Sequence, residues 1–393
     1  MPNLLLFLLG IILLAAFFRV DFIFYIIYIF FFLYLLSRVW ITQTLKRVTF
    51  QRTYGTRALY GEKIPVSLKV TNRSWLPIPY LRIHESLPVQ LKTPNFQRAI
   101  VTLLPHESVT LDYELDCRHR GYYLLGPVML ESGDLFGIYT EQRHLIRKDY
   151  IAVYPPIIAL TDMGLPAQTP FGTMASRQSL IEDPSRMLGV RPYAYGDSLR
   201  HIHWKMTAAT GVLQTKRFEP AISVEAQIYL DLNREEYTLQ RLTTASELAI
   251  EAAASIANLL THQRQMVGLC SNGSDPLSEV DKPVSLKPRR GAAQLTAILD
   301  ALARVQVSAA VPFIDLLRQA RLQLHWGGTG IIIAPHATDE LVAALLLLKR
   351  SGLNVVLILV DPQSTFTLIK RRMEQANIRT YQVWQEKDLD VWR

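Results

Sequence analysis

The residue types best suited to chemistry are concentrated between positions 182 and 211, a stretch rich in Arg, Tyr, His and Trp. His201 and His203 could share a metal ion only on a β-strand, where alternate side chains point to one face. On a helix these two side chains point about 200° apart. Because Asp197 can cap a helix and Gly211 can end one, the segment predicts a short helix and not a metal site.

On that predicted helix, four apolar residues would share one face: Leu199, Ile202, Met206 and Ala209. Arg200 and Trp204 lie four residues apart on a neighbouring face, so the guanidinium could stack on the indole. The helix would therefore combine an apolar face with a basic and aromatic one.

Other familiar catalytic patterns are missing from the sequence. It contains no Gly-x-Ser-x-Gly elbow, no Gly-x-x-x-x-Gly-Lys loop and no His-Glu-x-x-His pair. Cys117 and Cys270 are too few for a disulfide framework or a zinc site built on paired cysteines. We expect no catalytic residues, although the sequence leaves enzymatic activity open.

The composition indicates a folded, membrane-attached chain. Its 393 residues are 49% hydrophobic and 19% charged, with a net charge of +8, and the mean hydropathy is +0.14. This composition excludes a disordered chain, and the length predicts two or three folded units. Much of the apolar excess lies in the first forty residues.

Two uncharged apolar runs, 4–18 and 22–36, predict two membrane-spanning helices joined by a tight turn containing Arg19 and Asp21. A signal peptide is disfavoured because a basic start and a cleavage site are missing. One long helix would place both charged residues near the middle of the bilayer, where each costs roughly 2.5 to 3.5 kcal/mol. A helical hairpin places them at the interface instead.

The flank of the second run is basic, with no acidic residue before Glu62: Arg38, Lys46, Arg47, Arg52 and Arg57. The positive-inside rule therefore predicts a two-pass protein of the cell membrane, with both termini and the soluble body in the cytoplasm. The same flank would attract anionic lipid. Because no wider basic stripe is present, we do not expect nucleic-acid binding.

The remainder of the chain shows two patterns. From 45 to 160, short alternating stretches broken by Pro, Gly and Asn predict an antiparallel, β-sandwich-like domain. From 221 to 393, apolar strands alternate with amphipathic helices, which predicts a doubly wound, largely parallel sheet whose ligands bind at the carboxyl ends of the strands. The basic stretch 283–290 is predicted to be a loop and a surface for an acidic partner.

The predicted strands of this second domain are 227–230, 266–270, 331–334 and 355–360, and the predicted helices are 239–260, 292–302, 339–349 and 365–374.

The chain resembles the domain-of-unknown-function-58 family. The resemblance is carried by Glu182-Asp183, Arg191-Pro192-Tyr193, Gly196-Asp197, Arg200, Ile202-His203-Trp204-Lys205, Ala208 and Gly211, and upstream by Arg120-Gly121-Tyr122-Tyr123, Gly126-Pro127 and Asp134-Leu135-Phe136-Gly137. It implies a C-terminal half similar to von Willebrand factor A domains. It also implies a gene neighbourhood with MoxR-type AAA+ ATPases and transglutaminase-like membrane proteins. The family has no established reaction.

Together, these features predict a membrane-anchored α+β multidomain protein. Its parts would be a transmembrane helical hairpin (1–44), a β-rich domain (45–160), the hallmark segment with a linker (161–220) and a doubly wound, von Willebrand A-like α/β domain (221–393).

The resemblance also suggests a degenerate metal site. Von Willebrand A domains carry an Asp-x-Ser-x-Ser motif after the first strand, where hard oxygens hold Mg²⁺. Here the corresponding residues are Asp231, Asn233 and Glu235. The alternative is an ordinary capped turn. We expect no cofactor, with Mg²⁺ as a possibility, and 271–275 as a candidate partner loop.

Three functions are open at this point. The first is a non-enzymatic, membrane-tethered interaction module that works with a MoxR-type ATPase, and with other membrane proteins, in assembling or maturing a partner complex. The second is a divalent-metal-dependent adhesion or hydrolytic site at the carboxyl edge of the sheet. In the third, the hallmark residues lock the two domains together. The residues of the first and third are Arg191, Tyr193, Asp197, Arg200, His203, Trp204 and Lys205.

Overall fold

The computed structural model describes residues 10, 21–91, 98–134, 137, 139–160, 182–195, 197–220, 225–277, 282–324, 327–361 and 366–389. The chain divides into two compact units, Met1–Pro156 and Ile157–Arg393. Apart from Gly10, the first predicted membrane span lies outside the described residues.

The first unit begins with helix α1 (Asp21–Lys46). Its part Phe24–Lys46 is long and apolar enough to cross a membrane, and the side chains of Phe22, Tyr25 and Phe32 are exposed. The helix continues ten residues beyond the apolar run because its last turns pack on the β-rich part, where Ile41 and Leu45 are buried.

The strands of the first unit are β1 (Val48–Tyr54), β2 (Arg57–Ala58), β3 (Lys63–Asn72), β4 (Ile78–Glu85), β5 (Arg98–Leu103), β6 (Ser108–Asp116), β7 (Gly121–Leu125), β8 (Val128–Gly133), β9 (Thr140–Leu145) and β10 (Asp149–Val153). They form sheets ordered β1-β3-β6, β5-β4-β8-β9 and β2-β10-β7. The alternating sequence explains their burial, since every second residue of β3 is buried. All three sheets contribute to one apolar core.

One arginine of the predicted basic flank has a different environment. Arg52 is 6% exposed and forms ion pairs with Glu85 and Asp149. Its position in β1 points it into the interior, where a charge must be paired. Arg52 is therefore not available to lipid, whereas Arg38, Lys46 and Arg47 are exposed.

The second unit contains a six-stranded sheet ordered β15-β14-β13-β16-β17-β18. Its strands are β13 (Glu225–Leu230), β14 (Met266–Ser271), β15 (Val284–Arg289), β16 (Thr329–Ala334), β17 (Asn354–Leu359) and β18 (Arg379–Gln382). All neighbours run parallel except β15. Numbered along the chain the order is 3-2-1-4-5-6, which is doubly wound, with the order reversing between β13 and β16.

Helices of this unit are α3 (Leu242–His262), α4 (Ala292–Arg304), α5 (Phe313–Gln323), α6 (Asp339–Arg350), α7 (Phe366–Gln375) and α8 (Glu386–Leu389). Adjacent strand residues such as Ile228 and Tyr229 are both buried, so both faces of the sheet are covered. The prediction of a basic loop at 283–290 was wrong. These residues form β15, because alternate side chains are half-buried and the backbone pairs with β14.

The hallmark segment forms a separate hairpin in the second unit. Strand β11 (Glu182–Pro192) pairs antiparallel with β12 (Gln214–Pro220). Between them are a 3₁₀ turn, Leu199–His201, and the short helix α2, Trp204–Thr210.

Candidate functional site

The Asp197 side chain forms hydrogen bonds that connect the two strands and the loop of the hallmark hairpin. One carboxylate oxygen accepts a hydrogen bond from Arg191 Nη2 at 2.7 Å, and the other accepts from the Ala194 N–H at 3.0 Å and Thr215 Oγ1 at 3.5 Å. The Ala194 N–H, followed by the Arg191 guanidinium, holds the pKa of Asp197 below its ordinary value. Its role is to join the loop to both strands.

The predicted continuous helix is wrong at its beginning. Residue Ile202 is buried and bridges Thr215 of β12, which interrupts the helix before Trp204. The N-cap is therefore His203, whose Nδ1 accepts the Met206 N–H at 3.1 Å. At the other end, Gly211 caps the helix with φ 71°, as predicted.

This interruption changes how the hallmark side chains are presented. Arg200 lies in the 3₁₀ turn and Trp204 begins α2, so they do not form the four-residue helical pair that the sequence predicted. Of the expected apolar face, only Ile202 is buried, while Leu199 and Met206 are exposed.

The hallmark surface, as we call it, consists of exposed apolar and aromatic side chains in this segment: Tyr195, Leu199, Trp204, Val212 and Leu213. Trp204 is 69% exposed, and Arg200 and Lys205 beside it in sequence are also exposed. Tyr193 is half-buried and donates its N–H to Leu213 O at 2.9 Å. Scattered exposed apolar residues are ordinary, but several within one short segment make that segment a candidate interaction surface.

A second candidate site lies at the carboxyl edge of the sheet. Asp231 follows β13 and is 4% exposed. Its Oδ1 accepts hydrogen bonds from the Asn233 N–H at 3.0 Å and from Asn272 Nδ2 at 2.9 Å, and Asn272 Oδ1 accepts the Leu232 N–H at 2.7 Å. Among the described residues, no donor contacts Asp231 Oδ2.

Asp231 lines a cavity of about 560 Å³ beside the point where the strand order reverses. Five carboxylates line it, against Arg318 and His336: Asp231, Glu236, Asp315, Asp339 and Glu340. Burial raises the pKa of Asp231 to about 6, although the hydrogen bonds from Asn233 and Asn272 oppose the shift. The site therefore holds a buried carboxylate that a cation would stabilise.

Only two of the three predicted metal ligands, Asp231, Asn233 and Glu235, line this cavity. Asp231 and Asn233 line the cavity, and Glu236 lines it where the sequence suggested Glu235. The side-chain oxygen Oδ1 of Asn233 accepts the Glu235 N–H at 3.2 Å, which caps the following 3₁₀ turn. Within the described part of the chain, no group of three His, Cys, Asp or Glu residues is arranged to hold a metal ion.

The comparisons with known proteins bear on the hallmark segment first. A family model described as "Protein of unknown function DUF58" matches residues 189–320, from the hallmark hairpin to α5. Residues 189–320 of this chain are therefore similar to the DUF58 family segment. The match includes Asp197, Trp204, Asp231 and Asn272, so both candidate sites contribute residues to the DUF58 segment.

A curated relative is the Uncharacterized protein YeaD of Bacillus subtilis (strain 168), 24% identical over 230 residues. The alignment covers 56% of this chain and 56% of YeaD, so it spans little more than half of that relative's length.

The similar solved structures cover only parts of this chain. The CARDB domain of the PF1109 protein from Pyrococcus furiosus is 13% identical with a TM-score of 0.20, covering 27% of this chain and 91% of that domain. Salmonella alpha-2-macroglobulin is 18% identical, also at a TM-score of 0.20, covering 32% and 9%. TM-scores of this size carry no argument about fold or function.

Most of the residues that line the carboxyl-edge cavity were not predicted from the sequence, among them His336 and Glu236. His336 follows β16, and its Nε2 lies 3.3 Å from Glu236 Oε2. The position of His336 just after an apolar strand was the available signal, since such residues converge at the carboxyl edge of a parallel sheet. Glu236 offered no such signal, because only the turn at 234–236 decides which of two adjacent glutamates faces the cavity.

Proposed function

We propose that this protein is a non-enzymatic, membrane-tethered interaction module, in which α1 is the anchor and the hallmark surface binds a protein partner. The observation that carries this proposal is the exposure of Trp204, Leu199 and Tyr195 within the family segment. Trp is the residue type most enriched among those that dominate protein interfaces, and an exposed apolar cluster is costly to keep without a partner.

The proposed partner is a MoxR-type AAA+ ATPase, as the family's gene neighbourhood suggests, acting in the assembly or maturation of a further complex. The exposed cations Arg200 and Lys205 beside the apolar side chains would favour an acidic rim on that partner. The proposal includes a two-pass anchor, a cytoplasmic body and a von Willebrand A-like second domain. A doubly wound sheet with Asp231 after its first strand supports the last point.

The test is co-purification of the full-length chain, in detergent micelles, with a MoxR-type ATPase from the same cell. We expect Trp204→Ala to weaken binding at least about thirtyfold, because truncating a central aromatic anchor costs 2 kcal/mol or more. The matched control is Leu368→Ala on α7, where the side chain is 69% exposed but lies outside the hallmark segment. Wild-type binding by Trp204→Ala would remove the hallmark surface from the interface.

A second candidate function is a divalent-cation site at the carboxyl edge, which the buried Asp231 and its free Oδ2 favour. The residues present fit a divalent cation only in part. Asp231 and Glu236 supply carboxylates, whereas the side-chain oxygen Oδ1 of Asn233 already caps the 3₁₀ turn. A bound Mg²⁺ would supply a fixed positive charge for an acidic partner group. Asp231 and Glu236 would hold it through oxygen ligands.

Substituting Asp231→Asn tests this second candidate. Because the pKa of Asp231 is raised to about 6, the folded state loses stability as pH rises from about 4 to 6. The decrease in the free energy of unfolding is complete at pH 7.5 and is at most about 3 kcal/mol. Without metal, we expect Asp231→Asn to be the more stable protein at pH 7.5 and equal to wild type near pH 3.5.

Calorimetric titration of Mg²⁺ into both full-length proteins completes the experiment. The cation site predicts binding and stabilisation of wild type only, a loss in Glu236→Gln and no change in Glu235→Gln. Equal heats in wild type and Asp231→Asn would contradict it.

A further inference from the structure

The turn between β3 and β4, residues 73–77, lies against the end of α1 and exposes a tryptophan. Trp40 of α1 donates its Nε1–H to Pro77 O at 2.9 Å, and the Arg73 N–H donates to Arg47 O at 3.2 Å. Trp75, at the centre of this turn, is 70% exposed. The turn is therefore held beside the end of the helix, with Pro77 against Trp40 and Arg73 against Arg47.

Hydrogen bonds of the buried residues Asn72 and Ser74 hold Trp75 in its exposed position. Asn72 is fully buried and Ser74 is 2% exposed. Asn72 Nδ2 donates to Leu76 O at 2.9 Å and Leu104 O at 3.1 Å, and its Oδ1 accepts the Ser74 N–H at 2.9 Å. Ser74 Oγ lies 2.6 Å from the same Oδ1. Because its flanking residues are fixed, the turn cannot fold the indole inward without breaking buried hydrogen bonds.

The depth of the turn follows from the geometry of α1. The apolar run ends at Leu36, and Trp40 lies four residues later, about 6 Å along the helix axis. The headgroup region on each side of a bilayer is roughly 5 to 8 Å thick. With the apolar run in the hydrocarbon core, the Pro77 end of the turn, which contacts Trp40, lies at headgroup depth, where Trp side chains are enriched. The Arg73 end, which contacts Arg47, lies farther toward water.

The charged groups around the end of α1 are of both signs. The carboxylates of Asp134 and Glu141 accept hydrogen bonds from Ser37 and Thr42 of the helix. The exposed cations at this end of the first unit are Arg38, Lys46, Arg47 and Arg73. None of the four has a carboxylate partner among the residues that the structure describes. Unpaired cations beside an interfacial Trp are the pattern that binds anionic phospholipid headgroups.

We propose that the turn 73–77 is a second membrane contact, in which Trp75 enters the headgroup layer and the four cations bind anionic phospholipid. This inference rests on the proposed membrane anchor. A helix and a turn held in fixed relation to each other would fix the orientation of the whole first unit on the bilayer.

Site-directed spin labelling of the full-length chain in nanodiscs of phosphatidylcholine and phosphatidylglycerol tests the proposal. The native thiols do not interfere, because Cys117 and Cys270 are buried and burial raises the pKa of each to about 11. The reporting variant is Trp75→Cys. Its matched control is Tyr60→Cys, an exposed aromatic position before the far end of β3, about 30 Å away along that strand.

We expect the ratio of relaxation by oxygen, which concentrates in lipid, to relaxation by a water-soluble nickel complex to be about threefold higher at position 75 than at 60. Removing phosphatidylglycerol should move the ratio at 75 toward the value at 60. Equal ratios in mixed nanodiscs would overturn the proposal.

A third spin-labelled variant, Phe31→Cys on α1, distinguishes failure of the second membrane contact from failure of the membrane anchor itself. A lipid signal at 31 with a water signal at 75 overturns the second contact alone. A water signal at 31 overturns the membrane anchor and this inference together.

Discussion

Trp75 in the first unit and Trp204 in the second are almost equally exposed, at 70% and 69%, yet their supports differ. Trp75 directly follows Ser74, and both Ser74 and Asn72 are buried and are hydrogen-bonded to each other and to the backbone. Trp204 begins a two-turn helix whose N-terminus is capped by one hydrogen bond, from the Met206 N–H to His203.

Their surroundings differ as well. Trp75 is near cations that have no carboxylate partner in the described structure, beside the helix suited to a membrane. Trp204 belongs to a segment with other exposed apolar side chains, among them Leu199 and Tyr195. The comparison shows that exposure alone does not identify a partner. Exposed cations lie near both rings, so the apolar neighbours make the difference. Trp75 is the one exposed large apolar side chain of the turn 73–77, which suits a headgroup layer, whereas Trp204 is one of several in its segment, which suits a protein surface.

The largest expected effect is the loss of stability in Asn72→Ala, which tests whether Trp75 is held more rigidly than Trp204. Asn72→Ala leaves the Ser74 N–H and two carbonyl oxygens without their partner in a buried turn, which should cost about 3 kcal/mol. Hydrogen exchange of the full-length chain in detergent should then show roughly hundredfold faster exchange of the protected amides of β3. The control is His203→Ala, where loss of one exposed cap should cost about 1 kcal/mol and speed exchange in α2 roughly fivefold.

Equal effects of the two substitutions would remove the distinction between a rigid and a weakly held tryptophan. A small effect of Asn72→Ala would also weaken the second membrane contact, because that inference needs a fixed turn.

The sequence predicted the elements of the parallel sheet well because their signals are local. The predicted strand 331–334 lies within β16, and 355–360 lies within β17 except for its last residue. The predicted helices begin within a few residues of the observed ones. Alternation likewise located β3 and β6 in the first unit. These signals need only the period of the burial pattern.

The errors arise where a distant residue decides the local structure. Nothing near Ile202 indicates that it bridges Thr215, so the start of α2 was misplaced. The basic composition of 283–290 concealed a strand that only pairing with β14 creates. Similarly, Arg52 was assigned to a lipid-facing flank because its partners, Glu85 and Asp149, are remote in sequence.

The smallest expected effect is on folding stability, and it tests both tryptophans together. Since neither indole is buried, Trp75→Ala and Trp204→Ala should each change the unfolding free energy by less than about 0.5 kcal/mol. Thermal unfolding of the full-length chain in detergent measures this, with Leu115→Ala in the core as a positive control expected to cost 2 to 5 kcal/mol. A loss of folding cooperativity in Trp204→Ala would mean that the hallmark residues lock the domains, and the hallmark surface would then be structural. Unchanged stability in both variants leaves their exposure to be explained by what each ring binds outside the chain.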